Sequence, residues 1–148
     1  MDEMQEPADL ARRAKAVVNV KLKREGYRVI AYDWRCPAGT ADFIARKDGA
    51  IVFVDVRTSP TTERRDMERP FGERTLEKWR AVVAAWCERN GIPGEPVQYD
   101  SFTVARLNDR QALTAHYPRA LPPMGPEDLA ALAERPRGPR AAREAMCR

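Results

Sequence analysis

The dipeptide Asp48-Gly49 limits most strongly how this chain can fold, because it is typical of a two-residue β-hairpin turn. Runs rich in β-branched and aromatic residues flank it, within the stretch GTADFIARKDGAIVFVDVRTS at positions 39–59. A turn centred on this dipeptide pairs Lys47 with Ala50 and thereby fixes the register of both strands. The stretch is therefore predicted to form a hairpin of two long strands.

The same register divides the hairpin into an apolar face and a charged face, since side chains alternate along a strand. The apolar face must be buried, and it carries Ala41, Phe43, Ala45, Val52, Val54 and Val56. On the other face, Ile44 lies opposite Phe53 near the turn, and beyond this pair Asp42 lies opposite Asp55 and Thr40 opposite Arg57. Because opposed like charges destabilise a sheet unless a cation separates them, we predict a metal ion or a basic side chain at the aspartate pair.

Length and composition indicate one domain with a sizeable core, since the chain has 148 residues, of which 43% are hydrophobic. A net charge of +4 fits an anionic partner such as nucleic acid. Cys36, Cys87 and Cys147 lack the spacing of a disulfide framework or a zinc site, which fits a reducing compartment. The acidic N-terminus and the absence of a long apolar run predict a cytoplasmic protein that does not enter a membrane.

Amphipathic helices are predicted on both sides of the hairpin. Apolar residues recur at helical spacing over 8–25, with Gly26 as the C-cap, and again over 73–90, with Gly91 after it. The first helix also carries a dense basic band, which indicates either a solvated face or a surface that contacts phosphates. The members of the band are Arg12, Arg13, Lys15, Lys21, Lys23 and Arg24.

Further strands are predicted over 27–35 and 97–107, which completes an order of helix, three strands, helix and strand, and a short fifth strand is predicted over 112–117. The lone histidine, His116, falls on the last of these strands and is interpreted as structural.

Two segments of the sequence lack a regular pattern. The polar stretch 60–72 is predicted to be a mobile loop beside the aspartate pair. The segment 122–148 is rich in Pro, Arg and Ala, and it is predicted to be a tail with a short helix over 126–133 followed by disorder. The folded domain is accordingly predicted to span 8–121.

The element order, with an aspartate on the second strand and Asp-x-Arg on the third, resembles the YraN-like family of uncharacterised bacterial proteins. The matching pieces lie within about residues 10–121, and they are RRAKAVVNVKLKREGYRVI, DWRCPAGTADFIA, IVFVDVRTS, the segment from FGE to LEKWR, VQYDSFTVA and AHYPRAL. That family has a fold similar to the PD-(D/E)XK nucleases, such as restriction and Holliday-junction endonucleases. The resemblance implies an α/β fold with a restriction-endonuclease-like α-β-β-β-α-β core, whose central mixed sheet is flanked by helices.

The resemblance also implies a catalytic site. The family hairpin normally carries Gly-Glu-Ile-Asp and then Glu-Val-Lys, and the first helix carries a further Glu. The catalytic positions implied here are Asp42, Asp55, Arg57 and Lys15. Asp42 and Asp55 would bind Mg²⁺ or Mn²⁺, and Arg57 would hold a phosphate but could not act as a base. Lys15 and Thr40 both stand where the family has Glu, so each of these positions lacks a metal ligand.

Three functions stay open at this point. The first is a metal-dependent endonuclease that cuts DNA. The second is a degenerate nuclease that binds nucleic acid without cutting and without a metal, in which Lys15 lies between Asp42 and Asp55. The third is a protein-interaction role in which the aspartates form a structural ion pair.

The residues expected to contact phosphates are Arg12, Arg13, Lys23 and Arg24.

Overall fold

A five-stranded mixed sheet organises the computed structural model, which describes residues 7–68 and 72–133. The strands follow the chain in the order β1-β2-β3-β4-β5. Their bounds are β1 (Arg28–Cys36), β2 (Gly39–Lys47), β3 (Ala50–Ser59), β4 (Val97–Arg106) and β5 (Ala112–Met124). Neighbouring strands are antiparallel except β3 and β4, which are parallel. A parallel pair needs a long crossover connection, and helices provide it here.

Helices cover both faces of the sheet. They are α1 (Pro7–Arg24), α2 (Arg64–Met67), α3 (Glu73–Asn90) and α4 (Pro126–Ala133). The crossover between β3 and β4 contains α2 and α3, whereas α1 precedes the sheet. This arrangement confirms the predicted α/β fold class, with a central mixed sheet flanked by helices. Among the helices of the described ranges, none combines the length and the apolar character needed to cross a bilayer.

The hairpin forms in the predicted register over its inner half. Lys47 pairs with Ala50, and the pairing continues to Phe43 and Val54. Asp48 and Gly49 have φ values of 48° and 77°. Positive φ at both central residues is what a type I′ turn requires, so the dipeptide sets the turn for the reason that the sequence indicated.

Each face of the sheet has its own core. Under α1, the side chains of Val18 and Leu22 pack against Phe43, Val52 and Val54, all of them buried. The prediction that the apolar face of the hairpin is buried beneath a helix is therefore confirmed for these residues.

The second core lies under α3 and contains Ile44, Phe53, Trp79 and Trp86. The rings of Phe53 and Trp86 meet edge to face with centroids 5.8 Å apart. The predicted alternation fails at Ala41, which packs in this core and not with Phe43. Ile44 and Phe53 pair near the turn on this second face, as predicted, and both are buried in this core.

A buried polar cluster lies on the α1 side of the sheet, around Asp100 of β4, which is 0% exposed. Its carboxylate accepts hydrogen bonds from the hydroxyl of Tyr27 at 2.7 Å, the amide of Gln98 at 3.0 Å and the backbone N–H of Arg119 at 3.0 Å. Nε2 of His116 lies 2.9 Å from the same carboxylate, and the imidazole stacks on Phe102. His116 therefore forms part of the packed interior, as its structural interpretation requires.

The predicted loop at 60–72 contains a short helix, α2, whose Met67 is 4% exposed. Part of this segment is therefore anchored to the protein, while residues 69–71 lie outside the described ranges.

The C-terminal part of the described chain is more ordered than the sequence pattern indicated. Strand β5 continues to Met124 instead of ending at 117, and Leu129 of α4 is 1% exposed within the α3-side core. The short helix predicted over 126–133 is present, and it packs as part of the fold. The disorder predicted after it falls on residues 134–148, which lie outside the described residues.

Candidate functional site

The two strands of the hairpin separate beyond Phe43 and Val54, and Asp42 lies where they part. Its Oδ2 accepts a hydrogen bond from the backbone N–H of Val56 at 2.7 Å. A side-chain carboxylate thus takes the place that a backbone carbonyl would occupy in a continuous ladder. For this reason the predicted direct pairing of Asp42 with Asp55 does not form.

Helix α1 places the ammonium of Lys15 beside this carboxylate. Nζ of Lys15 lies 3.3 Å from Oδ1 of Asp42 and 2.9 Å from Oδ1 of Asp33 on the neighbouring strand β1. The hydrogen bond from Lys15 to Asp33 and the negative charge of Asp42 raise the pKa of Lys15. The lysine is therefore held as a cation between two carboxylates.

One of the two carboxylates that contact Lys15 differs from the prediction, which placed the ammonium of Lys15 between Asp42 and Asp55. The bridge that forms joins Asp33 to Asp42, and sequence reasoning missed Asp33. A signal was available, because Cys36 pairs with Gly39 across the first turn. Counting back from that pair places Asp33 beside Asp42.

Asp55 of β3 is a further neighbour of Asp42. Oδ2 of Asp55 accepts a hydrogen bond from the hydroxyl of Tyr99 at 2.9 Å, and Asp55 interacts electrostatically with Asp42. Burial, together with the charge of Asp55, raises the pKa of Asp42 to about 6, although Val56 and Lys15 act against the shift. We refer to Lys15, Asp33, Asp42 and Asp55 as the aspartate–lysine site.

The raised pKa of Asp42 predicts a pH-dependent stability. Its ordinary value is 3.8, so between pH ~4 and ~6 the folded state binds more protons than the unfolded state, and the free energy of unfolding falls as the pH rises. Asp42→Asn should remove this fall. Denaturant unfolding of both proteins across this range tests the prediction. If the free energies of unfolding of the wild type and the variant differ by the same amount at every pH, the prediction is contradicted.

Arg57 and Thr40 lie near the same site. The guanidinium Nη2 of Arg57 lies 3.5 Å from Oγ1 of Thr103, its register partner on β4. Thr40 lines a cleft on the α3 side together with Asp55. Burial, followed by the charge of Asp55, raises the pKa of Tyr99, so its hydroxyl remains a hydrogen-bond donor at neutral pH.

The aspartate–lysine site does not fit a divalent ion in this arrangement. Mg²⁺ and Mn²⁺ need several oxygen ligands, but Oδ1 of Asp42 contacts the ammonium of Lys15, whose positive charge repels a divalent ion, and Oδ2 accepts a hydrogen bond from the N–H of Val56. In residues 7–68 and 72–133, no group of three or more His, Cys, Asp or Glu side chains is placed to hold a metal.

The basic residues predicted to contact phosphates are exposed along α1. Arg12 forms an ion pair with Asp9, and Arg13 donates a hydrogen bond to the carbonyl of Asp109. Lys23 and Arg24 form no ion pair with another residue of the described ranges. Because an α-helix has 3.6 residues per turn, residues eleven apart lie on nearly the same line, which aligns Arg12 with Lys23.

Comparison with known proteins places the chain in a family. The model of the "Uncharacterised protein family UPF0102" matches residues 15–107. The UPF0102 protein of Moorella thermoacetica is 32% identical over 102 residues, which cover 68% of this chain and 82% of that relative. A UPF0102 protein of Roseiflexus castenholzii is 60% identical over 37 residues, which cover 25% of this chain and 30% of that relative.

Among solved structures, the crystal structure of SSO0001 aligns with 95% of this chain and 60% of its own, at a TM-score of 0.33 and 13% identity. The family match covers more than half of the chain and includes the hairpin, the second half of α1 and the whole of α3. The chain therefore belongs to the uncharacterised protein family UPF0102, which confirms the resemblance to YraN-like proteins.

Proposed function

We propose that this protein is a nuclease-like protein that binds nucleic acid, with DNA as its partner, through the basic surface of α1 and does not cut it. The contact between Lys15 and Asp42, at 3.3 Å, carries the proposal. A positive charge there repels a divalent cation, and Asp42 is already bound to Val56. The site thus supports a stable fold without a metal.

The surface of α1 favours an anionic and extended partner. Arg12 and Lys23 are aligned about 16 Å apart along the helix, and Arg13 and Arg24 form a second line beside them. Such spacing suits contacts with several phosphates of one strand, which bind without reading the base sequence.

A second candidate function is a metal-dependent endonuclease. The observation that favours it is the electrostatic interaction of Asp55 with Asp42, since two neighbouring carboxylates could share an ion if Lys15 moved away. A cleavage assay on single-stranded, duplex and branched DNA, with Mg²⁺, Mn²⁺ or EDTA, separates the two candidates. Cleavage that requires the metal and is lost in Asp42→Asn and Asp55→Asn overturns the non-cutting proposal.

Reversing two charges on α1 should weaken DNA binding and its salt dependence. In Arg12→Glu with Lys23→Glu, the slope of log K against log salt should fall in magnitude by about two, because each lost phosphate contact removes about one unit. Fluorescence anisotropy with a labelled oligonucleotide at several salt concentrations measures this slope. The matched control, Arg74→Glu with Arg89→Glu, reverses two exposed charges on α3. Equal losses in both double variants would indicate a general charge effect and would contradict a specific α1 surface.

A further inference from the structure

A groove lies between α1 and β1, which is an edge strand of the sheet. It measures about 180 Å³, and its walls include Ala16 and Asn19 of α1 together with Tyr32 and Asp33 of β1. A closed cavity of about 150 Å³ holds a benzene molecule, so the groove has room for one aromatic ring. We call this feature the β1 groove.

Tyr32 gives the β1 groove an aromatic wall that solvent can reach. The residue is 53% exposed, whereas its register partner Phe43 is 3% exposed. The two rings meet edge to face with centroids 5.7 Å apart. Because Phe43 is packed in the core under α1, this contact limits the movement of Tyr32. An exposed ring that is held in place can stack on a planar group of a ligand.

The charges around the β1 groove are divided between its interior and the helix. In the groove, the carboxylates of Asp33 and Asp42 share one ammonium, that of Lys15, which leaves one negative charge in excess. Arg12 and Lys23 are exposed on the outer side of α1. A phosphate is therefore attracted to the helix and repelled by the groove. The groove is left to an uncharged part of the same ligand.

The β1 groove opens midway along the line that joins Arg12 and Lys23. Ala16 and Asn19 follow Arg12 by four and seven positions, and they precede Lys23 by seven and four. Residues at such spacings lie on one stripe of a helix. A strand whose phosphates contact both cations therefore passes the mouth of the groove between them.

We propose that the β1 groove receives one unpaired base of a DNA strand, which stacks on Tyr32 while phosphates on either side of it contact Arg12 and Lys23. The proposal rests on the proposed binding of DNA through α1, and it adds a contact that favours an unpaired strand. In a duplex each base is stacked between its neighbours and must be unstacked before a side chain can cover its face. Stacking is tolerant of sequence, since every base has a π-face.

Fluorescence anisotropy on the full chain tests this contact with a labelled single-stranded oligonucleotide and with the duplex of the same sequence. Tyr32→Ala should weaken binding of the single strand by about fivefold or more, which is the effect of losing one stacked base. Binding of the duplex should not change. The slope of log K against log salt should also stay as in the wild type, because stacking on a neutral ring releases no counterions.

Two further substitutions of Tyr32 show whether the aromatic ring matters. Tyr32→Phe keeps the ring and should bind the single strand within about twofold of the wild type, whereas Tyr32→Leu keeps only apolar area and should lose about as much as Tyr32→Ala. The matched control is Leu113→Ala, which shortens a side chain that is 43% exposed on β5 at the opposite edge of the sheet. It should bind both forms of DNA as the wild type does.

Two results overturn the proposal. One is wild-type affinity for the single strand in both Tyr32→Ala and Tyr32→Leu. The other is an equal loss of single-strand and duplex binding in a folded Tyr32→Leu, because a stacked base requires an effect on the unpaired strand alone.

The salt dependence separates this proposal from the proposed function. If the Tyr32 variants bind both forms as the wild type does, while Arg12→Glu with Lys23→Glu lowers the salt slope, only the assignment of the β1 groove is wrong. If the wild type binds neither form of DNA, the proposed function is wrong and the assignment of the groove falls with it.

Discussion

Replacing Asp100 with alanine should lower the free energy of unfolding by about 3–5 kcal/mol, the usual cost of removing one partner from a buried charged network. Asp100 is 0% exposed, and its carboxylate accepts bonds from Tyr27, Gln98 and the N–H of Arg119. In the variant these donors stay buried without their acceptor, as does the imidazole of His116. Denaturant unfolding at neutral pH measures the loss.

Two further variants show which property of Asp100 matters. Asp100→Asn keeps the shape and one acceptor oxygen but removes the charge, so its loss should be smaller than that of Asp100→Ala. Glu127→Ala removes an exposed carboxylate from α4 and should stay within about 1 kcal/mol of wild type. If Asp100→Ala lowers the free energy of unfolding no more than Glu127→Ala does, the proposed contribution of the buried cluster to stability is contradicted.

The pH dependence of the wild type provides an independent check on Asp100. Burial alone would raise the pKa of Asp100, but its bonds from His116, Arg119, Tyr27 and Gln98 outweigh burial and hold the pKa below its ordinary value of 3.8. A lowered pKa contributes stability that is present above pH ~4 and is lost as the pH falls through the folded-state value. Asp100→Asn should lack this acid-side loss.

The inner half of the hairpin could be predicted from the sequence because its determinants are local. Asp48 and Gly49 adopt the positive φ that their turn needs, and strand alternation then fixes the pairs as far as Phe43 and Val54. The basic surface and the helical faces were also predictable, since they depend only on a period of 3.6 residues.

The outer half could not be predicted by extending that register. At Asp42 a side chain accepts the hydrogen bond of Val56, so the strands separate and Ala41 moves into the other core. Asp33 has a φ of 47°, which is uncommon for a residue other than glycine, and strand periodicity does not predict this backbone conformation. Contacts between distant residues, such as Asp100 with Tyr27, likewise leave no local pattern in the sequence.

The charge at position 15 should decide whether the aspartate–lysine site accepts a metal. Two unit charges about 4 Å apart interact by roughly 4 kcal/mol at an effective dielectric near 20, before desolvation is subtracted. Lys15→Glu replaces a repelling ammonium with an oxygen ligand beside Asp33 and Asp42. We therefore expect weak or absent Mn²⁺ binding in the wild type and an affinity at least about tenfold higher in the variant, which corresponds to about 1.4 kcal/mol.

Two controls separate the loss of the blocking charge from the gain of a ligand. Lys15→Met removes the ammonium without adding an oxygen, so its affinity for Mn²⁺ should lie between those of the wild type and Lys15→Glu. Lys23→Glu makes the same charge reversal at an exposed position of α1 that forms no contact with the site, and it should bind Mn²⁺ as the wild type does.

Stability gives a second measurement that does not depend on cleavage. In EDTA, Lys15→Glu should be less stable than the wild type, because a further carboxylate joins Asp33, Asp42 and Asp55 with no cation between them. Mn²⁺ should restore much of this loss, since a ligand that binds only the folded state stabilises it. Calorimetric titration and thermal unfolding with and without Mn²⁺ provide the two readouts. Tight Mn²⁺ binding by the wild type that Lys15→Glu leaves unchanged would show that Lys15 does not control the site.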